Sequence, residues 1–242
     1  METSNNKVLI TGGATGIGFG LARRFIRENN TVIICGRRSE ALNQAKAQEP
    51  SLITWQGDLS TTADRERLFA WVSEHHPDMN VLVNNAGIQQ WMSLDTDDFF
   101  ARAKQELAIN VEAPLHLTQL FIRHAALRAI LNVTSGLAFV PLAKVPTYSA
   151  TKAFLRSFTL SMRELLKSKN IEVIEVIPPA LNTDLGGKGI HDQAPPVEGF
   201  IDAVFSQLRE GKQELTYGFS ENMIKAGPEE LREAFNRMNQ VR

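Results

Sequence analysis

Cysteine is nearly absent from these 242 residues: Cys35 is the only one, so no intrachain disulfide can form. That usage fits a reducing compartment, and a cytoplasmic protein is expected. Charge of one sign is lacking as well. The 26 Lys and Arg oppose 27 Asp and Glu, a formal net charge of −1, which leaves no electrostatic footprint for nucleic acid or a membrane surface. No apolar run approaches the ~20 residues needed to span a bilayer. Met1 to Asn6 leads straight into a strand pattern and lacks the layout of a signal peptide. The five histidines, His75, His76, His116, His124 and His191, form no ligand spacing with carboxylates or cysteine, so no metal site is expected.

The remaining composition, 43% hydrophobic and 22% charged, suits one globular α/β domain with a large core. Apolar runs at 7–11, 31–35, 51–56, 80–84, 128–134, 171–177 and 213–217 read as strands. Helical patterns fill 17–28, 38–48, 61–75, 96–124, 147–168, 197–210 and 228–239. This alternation predicts a doubly wound Rossmann-type fold, a parallel sheet of about seven strands with helices on both faces, spanning 1–242 as a single domain. Right-handed crossovers then gather the carboxyl ends of the strands at one edge. The segment 184–197 breaks the pattern with Gly186, Gly187, Gly189, Pro195 and Pro196. It reads as a loop that covers a substrate and orders on binding.

The first strand ends in Thr11-Gly12-Gly13-Ala14-Thr15-Gly16-Ile17-Gly18, and a helical pattern follows at once. Glycine serves where the chain turns sharply and where a pyrophosphate approaches with no Cβ in the way. The helix N-terminus offers its N–H groups to the phosphates. The second strand closes on Gly36-Arg37-Arg38, and the first acid beyond it is Glu40. An acid at that point would bond a ribose 2′-hydroxyl, whereas arginine suits a 2′-phosphate. NADP(H) is therefore the expected cofactor, held by Arg37 in the first place and Arg38 in the second.

Tyr148 and Lys152 stand four residues apart in a helical pattern, so phenol and ammonium share a face. A nearby ammonium is expected to lower the phenol's pKa and to make it an acid/base for a carbonyl or alcohol oxygen. Ser135 lies thirteen residues earlier, at the end of an apolar strand.

Together these residues resemble the short-chain dehydrogenase/reductase family. The resemblance takes in the glycine motif, Asp58-Leu59, Asn84-Asn85-Ala86-Gly87, Asn110, Ser135, Tyr148 with Lys152, and Pro178-Pro179-Ala180-Leu181-Asn182-Thr183. Val32 to Arg37, Thr134 to Phe139 and Pro178-Pro179 are similar to its DltE subgroup. The resemblance implies a catalytic quartet of Asn110, Ser135, Tyr148 and Lys152, with Asn110 holding a water that links Lys152 to solvent. It implies cofactor contacts from Gly12, Ala14, Thr15, Gly16, Ile17, Gly18, Asp58, Leu59, Asn85, Ala86, Gly87, Pro178 and Thr183, with Tyr148 and Lys152 reaching the ribose. Pro179 stands where the family usually has glycine; it fixes φ and removes one donor. Trp91, Leu137, Phe139, Leu142 and Leu181 follow motif residues and are candidates for lining a substrate pocket beside Ser135. The expected activity is hydride transfer between the nicotinamide and a ketone or aldehyde, in a homodimer or homotetramer. The alternative is a regulatory protein that binds NADP(H) without turnover.

Overall fold

The computed structural model describes residues 1–240. Its seven strands are β1 (Lys7–Thr11), β2 (Thr31–Gly36), β3 (Ile53–Gln56), β4 (Val81–Asn84), β5 (Ala129–Val133), β6 (Glu172–Ile177) and β7 (Glu214–Thr216). They form one sheet in the order β3-β2-β1-β4-β5-β6-β7 with every pair parallel. The order reverses between β1 and β4, and a crevice opens at the carboxyl ends of strands at such a switch point.

The helices are α1 (Gly16–Arg27), α2 (Ser39–Gln48), α3 (Thr62–His75), α4 (Phe99–Leu107), α5 (Ala113–Phe121), α6 (Pro146–Leu165), α7 (Val197–Arg209), α8 (Phe219–Met223) and α9 (Pro228–Asn239). Alternate residues of each strand feed opposite faces of the sheet. Val8, Ile10, Val32 and Ile34 meet Leu21 and Phe25 of α1 and Phe200, Val204 and Phe205 of α7. Leu9, Ile33, Leu82 and Ile130 meet Leu68 of α3, Leu117 and Phe121 of α5 and Met162 of α6. Burial on both sides explains why the strands are continuous apolar runs rather than alternating ones.

The helical pattern at 96–124 is not one helix. Helix α4 ends at Leu107, residues Ala108–Glu112 form a π-helical turn, and α5 continues from Ala113 with Pro114 in its first turn. Pro114 has no N–H to return to the preceding turn, and π turns of this kind gather at functional sites. Asn110 occupies the middle of it. The short α8 was not visible in the periodicity.

A buried polar ladder seats α6 on the sheet. Asn84 Nδ2 donates to Asn132 Oδ1 at 2.9 Å, and Asn132 Nδ2 donates to Thr159 Oγ1 at 2.9 Å. Asn132→Ala would leave the Asn84 amide only its longer bond to Thr118 Oγ1 at 3.4 Å and Thr159 only its bond to Leu155 O at 2.6 Å. It is expected to cost about 2–4 kcal/mol, seen as a lower urea midpoint with an unchanged slope; an unaltered midpoint would deny the ladder its role.

Candidate active site

Two turns meet at the switch point, and one hydroxyl joins them. Thr11 Oγ1 accepts from the backbone N–H groups of Asn85 and Ala86, each at 3.0 Å, and donates to Val83 O at 3.2 Å. Asn85 Nδ2 returns two bonds, to Thr11 O at 2.9 Å and Gly12 O at 3.1 Å. The closeness demands glycine. A Cβ on Gly12, whose φ is +63°, would lie 2.9 Å from Ala86 Cα, and one on Gly18 would lie 2.3 Å from Gly12 O.

Helix α1 opens from this turn with no side-chain cap at Thr15 and no acid in its first turn, an arrangement suited to phosphate. Ala14 and Ile17 pack on the core below, and Thr15 is exposed. Thr183 closes the far side, its Cγ2 lying 3.3 Å from where a Cβ of Gly16 would be. Pro178 is buried and its carbonyl accepts from Gly136 N at 3.0 Å.

At the other end of the crevice the Arg37 side chain is 74% exposed, with Asp58 Oδ2 3.8 Å away. Burial alone would raise the Asp58 carboxyl, but hydrogen bonds from Ser60 and the Arg37 charge outweigh it and leave it below its ordinary value. Arg38 precedes α2 and is exposed. Leu59 turns its side chain into the core, and its carbonyl is held by Arg65 Nη1 at 2.8 Å. A groove of about 710 Å³ runs between Arg37, Ser60, Ile88 and Lys104. Lys104 adds a second cation that no motif marks. The cradle and its cations fit a dinucleotide carrying an extra phosphate.

Three side chains converge at the end of β5. Ser135 is buried and accepts from Leu137 N at 3.1 Å, which caps a short 3-10 turn. Lys152 is buried and donates to Val133 O at 2.8 Å. Its ammonium lies 5.6 Å from the centroid of the Tyr148 ring. Burial lowers the Lys152 pKa to about 8. The Tyr148 phenol moves the other way from expectation: burial pushes it up, contact with Ser135 pulls it partly back, and the Glu106 carboxyl adds to the rise. Loss of water around the phenol outweighs the neighbouring ammonium.

Asn110 is buried, and its amide is committed. Oδ1 accepts from Ile88 N at 2.9 Å, while Nδ2 donates to Ile88 O at 2.8 Å and to Thr151 Oγ1 at 3.1 Å. The side chain thus locks the π turn, the chain after β4 and α6 together. A Cβ on Gly87 would sit 3.4 Å from Asn110 Oδ1 and 3.6 Å from Lys152 Nζ, so Gly87 belongs to the same cluster.

The pocket candidates divide. Leu181 is buried among the α1 and α7 side chains, and Phe139 packs with Val140, Met223 and Ala234 beneath the Arg156 guanidinium, 4.3 Å from its ring centroid. Both pack as core residues. Leu137 is half-buried beside Ser135. Trp91 lines a groove of about 690 Å³ with Met92, Arg102, Lys144 and Pro146. Leu142 gives its N–H to Ser149 Oγ at 3.2 Å.

Glu106 escaped the sequence reading. It is fully buried, one helical turn before Asn110, and its Oε1 accepts from Gln90 N at 2.6 Å while Oε2 has no partner. Burial raises its pKa to about 7, against the pull of the Gln90 N–H and Arg102.

A seven-stranded parallel sheet with a glycine cradle, an exposed arginine just beyond β2 and a buried Ser–Tyr–Lys cluster at the strand ends defines a class of oxidoreductases with the Rossmann-type fold. The chain belongs to the short-chain dehydrogenase family: residues 6–194 match the family model described as short chain dehydrogenase. It is 42% identical to the uncharacterized oxidoreductase DltE of Bacillus subtilis, with 99% of this chain and 98% of that protein covered. It is 28% identical to the NADP-dependent 3-hydroxy acid dehydrogenase YdfG of Escherichia coli K12, covering 94% of this chain and 86% of that one. A short chain dehydrogenase from Burkholderia cenocepacia, solved in complex with NADP, shares the fold at a TM-score of 0.85 and 24% identity, with both chains fully covered. No described helix is long and apolar enough to cross a membrane.

The raised Glu106 pKa has a consequence for stability. A carboxyl whose folded pKa lies above its unfolded value stabilises the fold fully only below the unfolded value, and that contribution is lost as pH rises through the folded one. The protein is therefore expected to lose stability between roughly pH 4.5 and 7. Glu106→Gln should flatten that slope in urea titrations; an equally steep slope in the variant would contradict the assignment.

Proposed function

We propose that this chain is an NADP(H)-dependent carbonyl reductase, working in reverse as an alcohol dehydrogenase. The observation that carries this reading is the buried cluster of Ser135, Tyr148 and Lys152 at the mouth of a glycine cradle. The nicotinamide supplies or accepts the hydride. The protein's share is to orient the carbonyl and to move one proton. Ser135 Oγ accepts from Leu137 N and keeps its own hydrogen to donate to the substrate oxygen. Tyr148, held as a phenol by burial, arrives protonated, as the reductive direction needs, and gives its proton to the same oxygen. Lys152, lowered to about 8, is poised to lose and regain a proton near neutral pH and so to restore the phenol. Asn110 acts at one remove, as a positioning residue. Arg37, and Arg38 behind it, would hold the 2′-phosphate. YdfG, named as NADP-dependent, and the neighbour bound to NADP support the choice of cofactor.

An intact proton-handling cluster would have no use in a regulatory protein that only bound the cofactor. Tyr148→Phe is expected to keep NADPH binding but to lower kcat on ketones and aldehydes by about 10²–10⁴-fold. In the same assay Arg37→Leu should weaken NADPH about tenfold or more while leaving NADH little changed. NADPH bound tightly with no carbonyl reduced by the wild type would overturn the reading in favour of regulation.

Leu107 and Leu115 on α4 and α5, and Phe154 and Leu165 on α6, are exposed. They support a homodimer or homotetramer. Light scattering is expected to give a multiple of 26.9 kDa, and a monomer mass would exclude it.

A further inference from the structure

The segment after β4 carries two buried polar groups that the protein does not satisfy. Gln89 is 8% exposed, and its Oε1 has no hydrogen-bond partner. The indole Nε1 of Trp91 is likewise buried without a partner. Both lie close to Gly186 of the 184–197 loop. A Cβ on Gly186 would stand 2.8 Å from Gln89 Oε1 and 3.2 Å from Trp91 Nε1. One is an acceptor and the other a donor, yet they do not bond each other.

Their surroundings tie them to the reacting centre. Gly87, two residues before Gln89, adjoins Lys152 Nζ. Met92, directly after Trp91, receives the Thr147 hydroxyl at its sulfur at 3.6 Å, and its N–H donates to Lys144 O at 3.2 Å. The segment therefore runs past the first turn of α6, where Tyr148 stands. The loop above is held at its base, where Asn182 N donates to Pro195 O at 2.8 Å and Asn182 Nδ2 donates to Asp192 O at 3.3 Å. Gly186 and Gly187 both have positive φ, at +82° and +141°, so side chains are disfavoured where the loop meets the two polar atoms.

An orphaned buried group bears its desolvation penalty uncompensated, and buried polar groups left unpaired in a native structure call for a reason. We propose that Gln89 and Trp91 form a specificity notch for a second, uncharged polar group on the substrate, one that both donates and accepts: a hydroxyl that gives its hydrogen to Gln89 Oε1 and takes one from Trp91 Nε1. The proposal rests on the carbonyl reductase reading and names its substrate class as hydroxylated ketones or aldehydes. An anionic group fits less well. It has no hydrogen for Gln89 Oε1, and the Glu106 carboxyl holds Gln90 N between the two notch residues. Sites that hydrogen-bond a substrate hydroxyl reject the analogue lacking it far better than apolar pockets judge size.

The test pairs isosteres. Hydroxyacetone is set against butanone, 4-hydroxybutanone against 2-pentanone, and acetoacetate serves as the anionic arm. With NADPH, the wild type is expected to favour a hydroxyketone over its isostere by about tenfold or more in kcat/KM. Gln89→Leu should bring that ratio close to one while still binding NADPH, which shows that it folds. Binding is read separately from turnover, in 15N-labelled protein saturated with NADP+, through the Trp91 indole N–H resonance assigned with Trp91→Phe. That resonance should move with a hydroxyketone, not with its isostere, and should cease to move in Gln89→Leu. If the resonance responds in this way but no ketone is reduced, the notch stands and the reductase reading falls. If ketones are reduced with no preference for the hydroxyl, if acetoacetate is preferred, or if Gln89→Leu keeps the ratio, the notch is overturned and the reductase reading survives.

Discussion

A buried ammonium is the constraint around which the site is built. Lys152 sits under the end of the sheet with the Val133 carbonyl as its hydrogen-bond partner. Desolvating a cation is costly unless neighbours compensate, and burial draws its pKa to about 8. The fold bears this cost because α6 is seated independently. The ladder from Asn84 through Asn132 to Thr159 holds one end, and the Asn110–Thr151 bond holds the other. A lysine in this position can exchange a proton near neutral pH, whereas an exposed one would stay charged.

The same desolvation sets the state of Tyr148. An ammonium four residues along a helix lowers a phenol's pKa when both are wetted, and proximity was the only term visible in the spacing. In the folded chain both groups are dry, the Glu106 carboxyl lies within electrostatic reach, and the phenol rises instead. In the proposed reductive direction a phenol of this kind would enter the reaction protonated at neutral pH. Glu106 carries an uncompensated desolvation cost as well, since its buried Oε2 is unpartnered.

Much of the fold was legible because parallel strands buried on both faces leave apolar runs, and glycine turns punctuate them. The 96–124 pattern was misjudged for a reason particular to it. Hydrophobic periodicity passes through a π turn almost unbroken, and the break shows only in the bonds that Asn110 makes to Ile88. Motif residues were found where chemistry or backbone geometry restricts the choice, as at Gly12, Gly18, Tyr148 and Lys152. Glu106, Lys104 and Gln89 were missed because their significance lies in what surrounds them after folding, not in spacing along the chain. For Leu181 and Phe139, which pack in hydrophobic clusters, an apolar residue following a motif faces the crevice or the core by a rotation that pattern cannot resolve. Thr11 was read as the start of the glycine motif, yet its hydroxyl is the clip that fixes one turn against the other.

Burial, not the neighbouring ammonium, governs the Tyr148 phenol. The chain has two tyrosines, so protein carrying 13C at the phenolic carbon shows two resonances, and Tyr148→Phe assigns one of them. The Tyr148 signal is expected to hold the position of a neutral phenol from about pH 6 to about pH 10, the ordinary phenol value. A titration midpoint clearly below that value in the protein alone would contradict it.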